Sequence, residues 1–238
     1  MSQTDEEMKD TIAALSEVLV APNYLLQVHV GRSFFRGSNN TVTEVASRDD
    51  PPLLAQRNGR WVDLKPDFES LLGVYEAETR RIMLFDKGIG WLANERDWEP
   101  NRLRLIVRLH EWSHTLHHLG APKQHTAKGM AVPRGFAERN ARFRAAPDDL
   151  KEQIAQFGTL VALRGQAAGV RHPRARATLE DIERIFFELM DTQSRRYRLP
   201  DEVRSMPLDR LKAKLALLLR MADNRLFPEL EDIADILR

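Results

Sequence analysis

Apolar residues recur at helical spacing near the start of the chain and again through most of its second half. Between Glu6 and Val20 they lie three or four positions apart, which predicts an amphipathic helix that ends near Pro22. From Glu138 onward the same spacing predicts one helix after another. These helices are expected at Pro147 to Leu163, Thr178 to Arg195, Leu208 to Ala222 and Glu229 to Leu237.

Short β-branched and aromatic runs, separated by turn residues, follow the first helix. Val28 to Phe35 is predicted to be a strand. Gly73 to Ala77 and Arg81 to Phe85 are predicted as two further strands, joined by a polar turn at Glu78-Thr79. The first half of the chain is therefore expected to contain a small sheet.

A further helix is predicted after the loop from Asn94 to Asn101. Its apolar positions run from Leu103 to Leu119, and Gly120 followed by Pro122 ends it. The sequence therefore predicts an α+β fold in two lobes. Residues 1–120 would form an N-terminal lobe with the small sheet and this helix, and residues 121–238 a mainly helical lobe, with the boundary between 121 and 145.

Composition narrows the chemistry that this chain can perform. With 238 residues, of which 42% are hydrophobic, it can bury a core without disulfides. Lys and Arg number 36 against 35 Asp and Glu, so the net charge of +1 gives no reason to expect a nucleic-acid or membrane partner. Cysteine is absent, which leaves His, Asp and Glu as metal ligands.

Two local features bear on location and partners. The acidic, polar start from Met1 to Asp10 does not look like a secretory signal, and the apolar run Leu215 to Leu219 is too short to span a bilayer, so a cytoplasmic location is expected.

Basic stretches at Arg171 to Arg176 and Arg195 to Arg198 could contact nucleic acid. Acidic residues surround both, which favours solvated loops. The sequence does not indicate an oligomeric state.

The segment His110-Glu111-Trp112-Ser113-His114 lies on the predicted central helix. Residues four apart share a helix face, so His110 and His114 can direct two imidazoles at one zinc ion. Glu111 would then lie beside the ion without binding it, where it can act as general base on a metal-bound water. Such a pattern also arises by chance on solvated helices, but the uncharged neighbours and the apolar run before it favour a metal site.

This segment resembles the active-site helix of zincin metallopeptidases. That resemblance implies a zincin-like fold, a zinc cofactor, and an upstream edge strand that aligns the peptide by strand addition, for which Arg81 to Phe85 is the candidate. The metzincin subclass is disfavoured, because His117 and Gly120 occupy the positions where metzincins have Gly and His.

The gluzincin subclass takes its third ligand from a later helix, and the stretch around Glu152 resembles that helix. Glu152 is therefore the expected third ligand, although a glutamate in a first turn after Pro147 can equally serve the helix dipole. Glu188 is the second choice, on a stripe that otherwise looks solvated. Glu138 and His125 are weaker candidates.

The resemblance also implies a residue that stabilises the oxyanion, and Tyr197 is the candidate. Packing at a helix end before Pro200 is the simpler explanation for this tyrosine. His117, on the ligand face, is expected to pack rather than to act, and Trp112 is expected to join the core.

The predicted function is that of a zinc-dependent metallopeptidase acting on a peptide or protein, with Glu111 as general base. The alternative is a regulatory or binding protein that retains a zincin fold without general peptidase activity.

Overall fold

The computed structural model describes residues 3–18, 25, 42–44, 54–57, 60–63, 72–119 and 136–223. Its helices are α1 (Gln3–Val18), α2 (Asp86–Glu95), α3 (Pro100–Leu119), α4 (Phe136–Ala145), α5 (Asp148–Gly169), α6 (Pro173–Thr192) and α7 (Leu208–Asp223). Its strands are β1 (Thr43–Glu44), β2 (Leu54–Arg57), β3 (Arg60–Asp63), β4 (Gly73–Glu76) and β5 (Arg81–Leu84). Two short 3₁₀ turns, Arg195–Tyr197 and Asp201–Ser205, join α6 to α7.

The predicted helices in the described part of the chain are confirmed, with shifted ends. Helix α6 begins at Pro173, five residues before the predicted start. The reason is local: the side chain of His172 accepts a hydrogen bond from the backbone N–H of Arg174, and Pro173 occupies the first turn, where its missing N–H costs nothing.

Helices α2 and α4 were not predicted. Helix α2 contains Gly88 and Gly90, which weaken the helical signal, and it forms because it buries Ile89 and Leu92. Helix α4 is highly charged, and of its side chains Arg142 and Phe143 are the buried ones.

The predicted hairpin is confirmed, because β4 and β5 pair antiparallel around a turn that includes Arg80 at a φ of 56°. The prediction that Arg81 to Phe85 forms the edge strand is wrong. The sheet order is β1-β5-β4, since β1 pairs parallel with the other side of β5. Among the described residues, the free edge next to the candidate site therefore belongs to β4.

Strands β2 and β3 form a separate antiparallel hairpin. The predicted strand at Val28 to Phe35 and the predicted helix at Glu229 to Leu237 lie outside the described residues.

The centre of the fold is the packing of α3 against α5. Helix α3 also contacts β4 and β5 and the helices α2, α4 and α6. The two central helices approach closely at Gly158, where a Cβ atom would lie 2.6 Å from Oγ of Ser113. A mainly helical α+β fold is confirmed, whereas the division into two lobes stays a prediction. Across the described ranges, none of the helices has the length and apolar character that crossing a membrane requires.

Candidate metal centre

Three side chains converge where α3 meets α5. Nε2 of His110 lies 3.1 Å from Oε2 of Glu152, and Nε2 of His114 lies 3.7 Å from the same oxygen. One ligand atom from each residue falls within 4.8 Å of the others. This is the only such group of three His, Asp or Glu side chains within the described ranges, and it consists of the three residues predicted from the sequence.

Local helix structure explains why these side chains meet. His110 and His114 are one turn apart on α3, so their rings share a face and lie 4.8 Å apart between centroids. Glu152 begins the second turn of α5, about half a turn around the helix from the fully buried Leu150 and Ile154. Its carboxylate therefore lies on a different face, which it shares with Gln156 at the cleft.

The protonation states suit a metal site. Burial alone would raise the pKa of Glu152, but the positive charges of His114 and His110 and the hydrogen bond from His110 lower it to about 2. Burial lowers the pKa of His114 to about 4. At neutral pH the carboxylate is therefore ionised and this imidazole is neutral, which are the forms that bind a cation.

His110 differs from His114 in its titration. Burial lowers the pKa of His110, but the hydrogen bond and the negative charge of Glu152 outweigh burial, so the net shift is upward. The His110 ring also hydrogen-bonds the side chain of Gln156, one turn after Glu152 on α5. Gln156 also lines the cleft.

Glu111 lies beside this cluster and is itself buried, with 6% of its surface exposed. Burial raises its pKa to about 7, against the opposing charge of His110 and a hydrogen bond from the backbone N–H of Tyr75. A carboxyl group that titrates near neutrality can both accept and return a proton at neutral pH.

Tyr197 lies at the same site, on the 3₁₀ turn after α6. Its ring centroid is 6.2 Å from that of His110. Burial, with the negative charge of Glu152, raises the pKa of Tyr197 to about 12, so the phenol stays protonated and can donate a hydrogen bond.

These groups open onto a cleft of about 280 Å³. Strand β4 forms one wall, with Gly73, Val74 and Tyr75. The described lining also includes Leu72, Ile106, Val107, Phe143, Asp148, Lys151, Gln156, Leu189 and Gln193, together with the five site residues above.

The other candidate ligands do not join the cluster. Glu188 accepts a hydrogen bond from Nε1 of Trp98 at 3.0 Å and pairs with Arg184 at 2.6 Å, on the predicted charged stripe of α6. Glu138 is exposed on α4. His125 lies outside the described residues.

The two histidines after the motif are buried. His117 packs against Phe143 with ring centroids 5.1 Å apart, and neither of its ring nitrogens has a hydrogen-bond partner. His118 shares a hydrogen bond of 2.7 Å between its Nδ1 and the hydroxyl of Tyr75. The expectation that His117 packs is confirmed, as is the burial of Trp112.

Arginines of the two basic stretches have protein partners. Arg174 pairs with Asp10 at 2.9 Å. Arg198 donates to the backbone carbonyls of Gln193 and Asp191.

Two of the three separations within the donor set are close to those around a tetrahedral ion. Ligand atoms about 2.0–2.1 Å from such an ion lie about 3.3 Å from one another. The separations of 3.1 and 3.7 Å between Glu152 and the two histidines bracket that value, whereas the widest separation within the group reaches 4.8 Å. Comparison with family models, curated proteins and solved structures yields no match for this chain. Fold and site together define an α+β protein in which two histidines and a glutamate could hold a metal ion at an open cleft.

Proposed function

We propose that this protein is a zinc-dependent hydrolase that cleaves peptide bonds. The observation that carries the proposal is the position of Glu111: a buried carboxyl group next to a three-ligand cluster and open to a cleft. The four residues His110, Glu111, His114 and Glu152 are of the same types as the ligands and the general base of gluzincins. The proposal includes a zincin-like arrangement of the helix, the edge strand and the later glutamate.

Zinc is the proposed ion because of the ligands. Two imidazoles and one carboxylate are a common ligand set of catalytic zinc, and this chain has no thiolate to offer. Three protein ligands leave one position for a water molecule or the substrate. Such an ion supplies a polarised substrate carbonyl and a water molecule of lowered pKa.

Glu111 performs the proton transfers in this proposal. It accepts a proton from the attacking water and delivers it to the amine that leaves when the C–N bond breaks. Its carboxyl group lines the cleft beside the ligand cluster, which puts it within reach of a substrate bound there.

Tyr197 and β4 complete the proposed site. The protonated phenol of Tyr197 is the hydrogen-bond donor for the negative oxygen of the tetrahedral intermediate. The free edge of β4 offers backbone groups to an extended peptide lying in the cleft.

Metal content and one conservative variant test the proposal. The purified protein should hold about one zinc ion per chain and should cleave members of a broad peptide library. Glu111→Gln should keep the zinc while kcat falls by about 10²- to 10⁴-fold. Glu188→Gln, the same change at an ion-paired glutamate outside the cleft, should leave both unchanged.

Full activity in Glu111→Gln contradicts the mechanism. Absence of cleavage by the zinc-loaded wild type, together with tight binding of one macromolecule, favours a regulatory or binding protein instead.

A further inference from the structure

Strand β4 presents two residues to its free edge. The backbone N–H of Phe85 donates to the carbonyl of Leu72 at 2.9 Å, which makes these two a hydrogen-bonded pair. Hydrogen-bonded and non-bonded pairs alternate along antiparallel strands. Gly73 and Tyr75, opposite Leu84 and Ile82, are therefore in non-bonded pairs. Their N–H and C=O groups point away from β5, toward the edge where the described residues place no strand.

The carboxylate of Glu111 occupies part of that edge. It accepts a hydrogen bond from the backbone N–H of Tyr75. A Cβ atom added to Gly73 would lie 3.0 Å from Oε1 and 3.0 Å from Cγ of Glu111, closer than most real Cβ contacts. The space that Gly73 leaves is therefore the space in which the Glu111 side chain lies.

Tyr75 is also attached to α3 through its side chain. Its hydroxyl is hydrogen-bonded to Nδ1 of His118 at 2.7 Å. His118 follows Glu111 by seven residues, which is two helical turns or about 10 Å along α3. The hydrogen bonds of Tyr75 to Glu111 and to His118 are two helical turns apart on α3. Together they hold the backbone of Tyr75 at a defined distance from the carboxylate of Glu111.

We propose that Gly73 and Tyr75 are positioning residues for Glu111. The backbone N–H of Tyr75 orients the carboxylate, and Gly73 leaves room for it. The strand that would pair with an extended substrate thereby also sets the position of the general base relative to that substrate. The catalytic meaning of this contact rests on the proposed function, whereas the contact itself does not.

Amide hydrogen exchange in metal-free protein tests the contact directly. An N–H on a free sheet edge exchanges quickly unless it has an acceptor. Glu111→Ala removes the acceptor and Gly73→Ala displaces it, so each should speed exchange at Tyr75 at least about tenfold. Gly90→Ala is the matched control, because a Cβ at Gly90 meets nothing within 4 Å. Unchanged exchange at Tyr75 in both Glu111→Ala and Gly73→Ala overturns the proposal.

Kinetics of zinc-loaded enzyme test the consequence. Gly73→Ala should lower kcat at least about tenfold while zinc content stays at the wild-type value, since no ligand is touched. The further change Glu111→Gln should cost much less in the Gly73→Ala background than in the wild type, because the two act on the same group. If the losses of kcat caused by Gly73→Ala and Glu111→Gln are fully additive, Gly73 does not act through Glu111, and the positioning role is contradicted.

One companion variant separates the effect of Gly73→Ala on Glu111 from its effect on Val107. The Cβ of Gly73→Ala would also lie 2.8 Å from Cγ1 of Val107. The double variant Gly73→Ala/Val107→Ala removes that clash and also serves if the single variant fails to fold. Recovery of wild-type kcat and of slow Tyr75 exchange in the double variant would assign the effect to Val107 and refute the role of Gly73.

The two proposals fail in different ways. A wild type that cleaves no peptide defeats the proposed function but leaves the exchange result at Tyr75 intact. An active wild type whose Gly73→Ala variant matches Gly90→Ala in kcat and in exchange defeats the positioning role alone.

Discussion

Oε2 of Glu152 lies 3.1 Å from Nε2 of His110, although 42 residues separate them in the chain. The contact joins the two central helices at the mouth of the cleft. Without a metal ion it is a hydrogen bond that favours a proton on His110. If an ion were held there, the same two atoms would be its ligands, and the proton would be released.

Loss of the Glu152 carboxylate should weaken metal binding more than loss of any other acidic group on the described helices. Glu152→Ala removes one of three ligands. We expect zinc affinity to fall at least about 100-fold, because the loss of a residue that only hydrogen-bonds a ligand already lowers metal affinity by up to about 100-fold. Competition with a chelator of known affinity measures it. Glu188→Ala is the control, and equal losses in the two variants would refute the assignment of Glu152.

Removal of the Tyr197 hydroxyl should slow catalysis without affecting the metal. If the phenol donates to the developing oxyanion, Tyr197→Phe should lower kcat by about 10²-fold, with KM and zinc content nearly unchanged. Steady-state kinetics on a cleaved peptide give both constants. A rise in KM alone would show that Tyr197 binds substrate without stabilising the transition state.

Gly158 should tolerate no side chain, because α3 and α5 touch there. A Cβ at this position would lie 2.6 Å from Oγ and 2.8 Å from Cβ of Ser113. We expect Gly158→Ala to lower the free energy of unfolding by about 1–3 kcal/mol. Gly169→Ala, at the end of the same helix, meets nothing within 4 Å and should be neutral or slightly stabilising. Denaturant titration compares them, and equal stability of the two variants would contradict the close approach.

His118 should make the metal-free protein sensitive to acid. Burial, followed by the positive charges of Arg142, Arg139 and Arg80, lowers its pKa from 6.5 to about 4. Between these values the unfolded chain binds a proton that the folded protein does not, so stability is complete above pH 6.5 and falls as the pH drops toward 4.

The variant His118→Gln isolates this contribution, because glutamine can still accept from the Tyr75 hydroxyl but does not titrate. From pH 7 to pH 4 the variant should lose about 3 kcal/mol less unfolding free energy than the wild type. Denaturant titrations at several pH values measure the difference. Parallel pH profiles for wild type and variant would show that His118 titrates normally.

Much of the fold was predictable, because its elements carry their own periodicity. The amphipathic helices and the β4–β5 hairpin follow from apolar spacing and turn residues that act locally. Helices α2 and α4 were missed because their signals are weak, and each is stabilised by packing against α3. The edge strand was misassigned because β1, which covers one side of β5, lies almost 40 residues earlier in the chain.

The sequence by itself determined the geometry within α3. Helical spacing is enough to put His110 and His114 on one face with Glu111 to one side of them, whatever surrounds the helix. Tertiary structure alone decided between Glu152 and Glu188. Both are helical glutamates with apolar neighbours, and the difference is that the packing of α5 on α3 directs Glu152 at the histidines, whereas Glu188 faces Trp98 and Arg184.

The contact between Glu111 and Tyr75 likewise depends on where β4 lies against α3. It involves a backbone N–H, which nearly every residue has, and the space left by Gly73, whose contact with Glu111 the sequence does not reveal. A residue pattern records side chains and their spacing, whereas the environment of a buried carboxylate is set by groups that the chain brings together only when it folds.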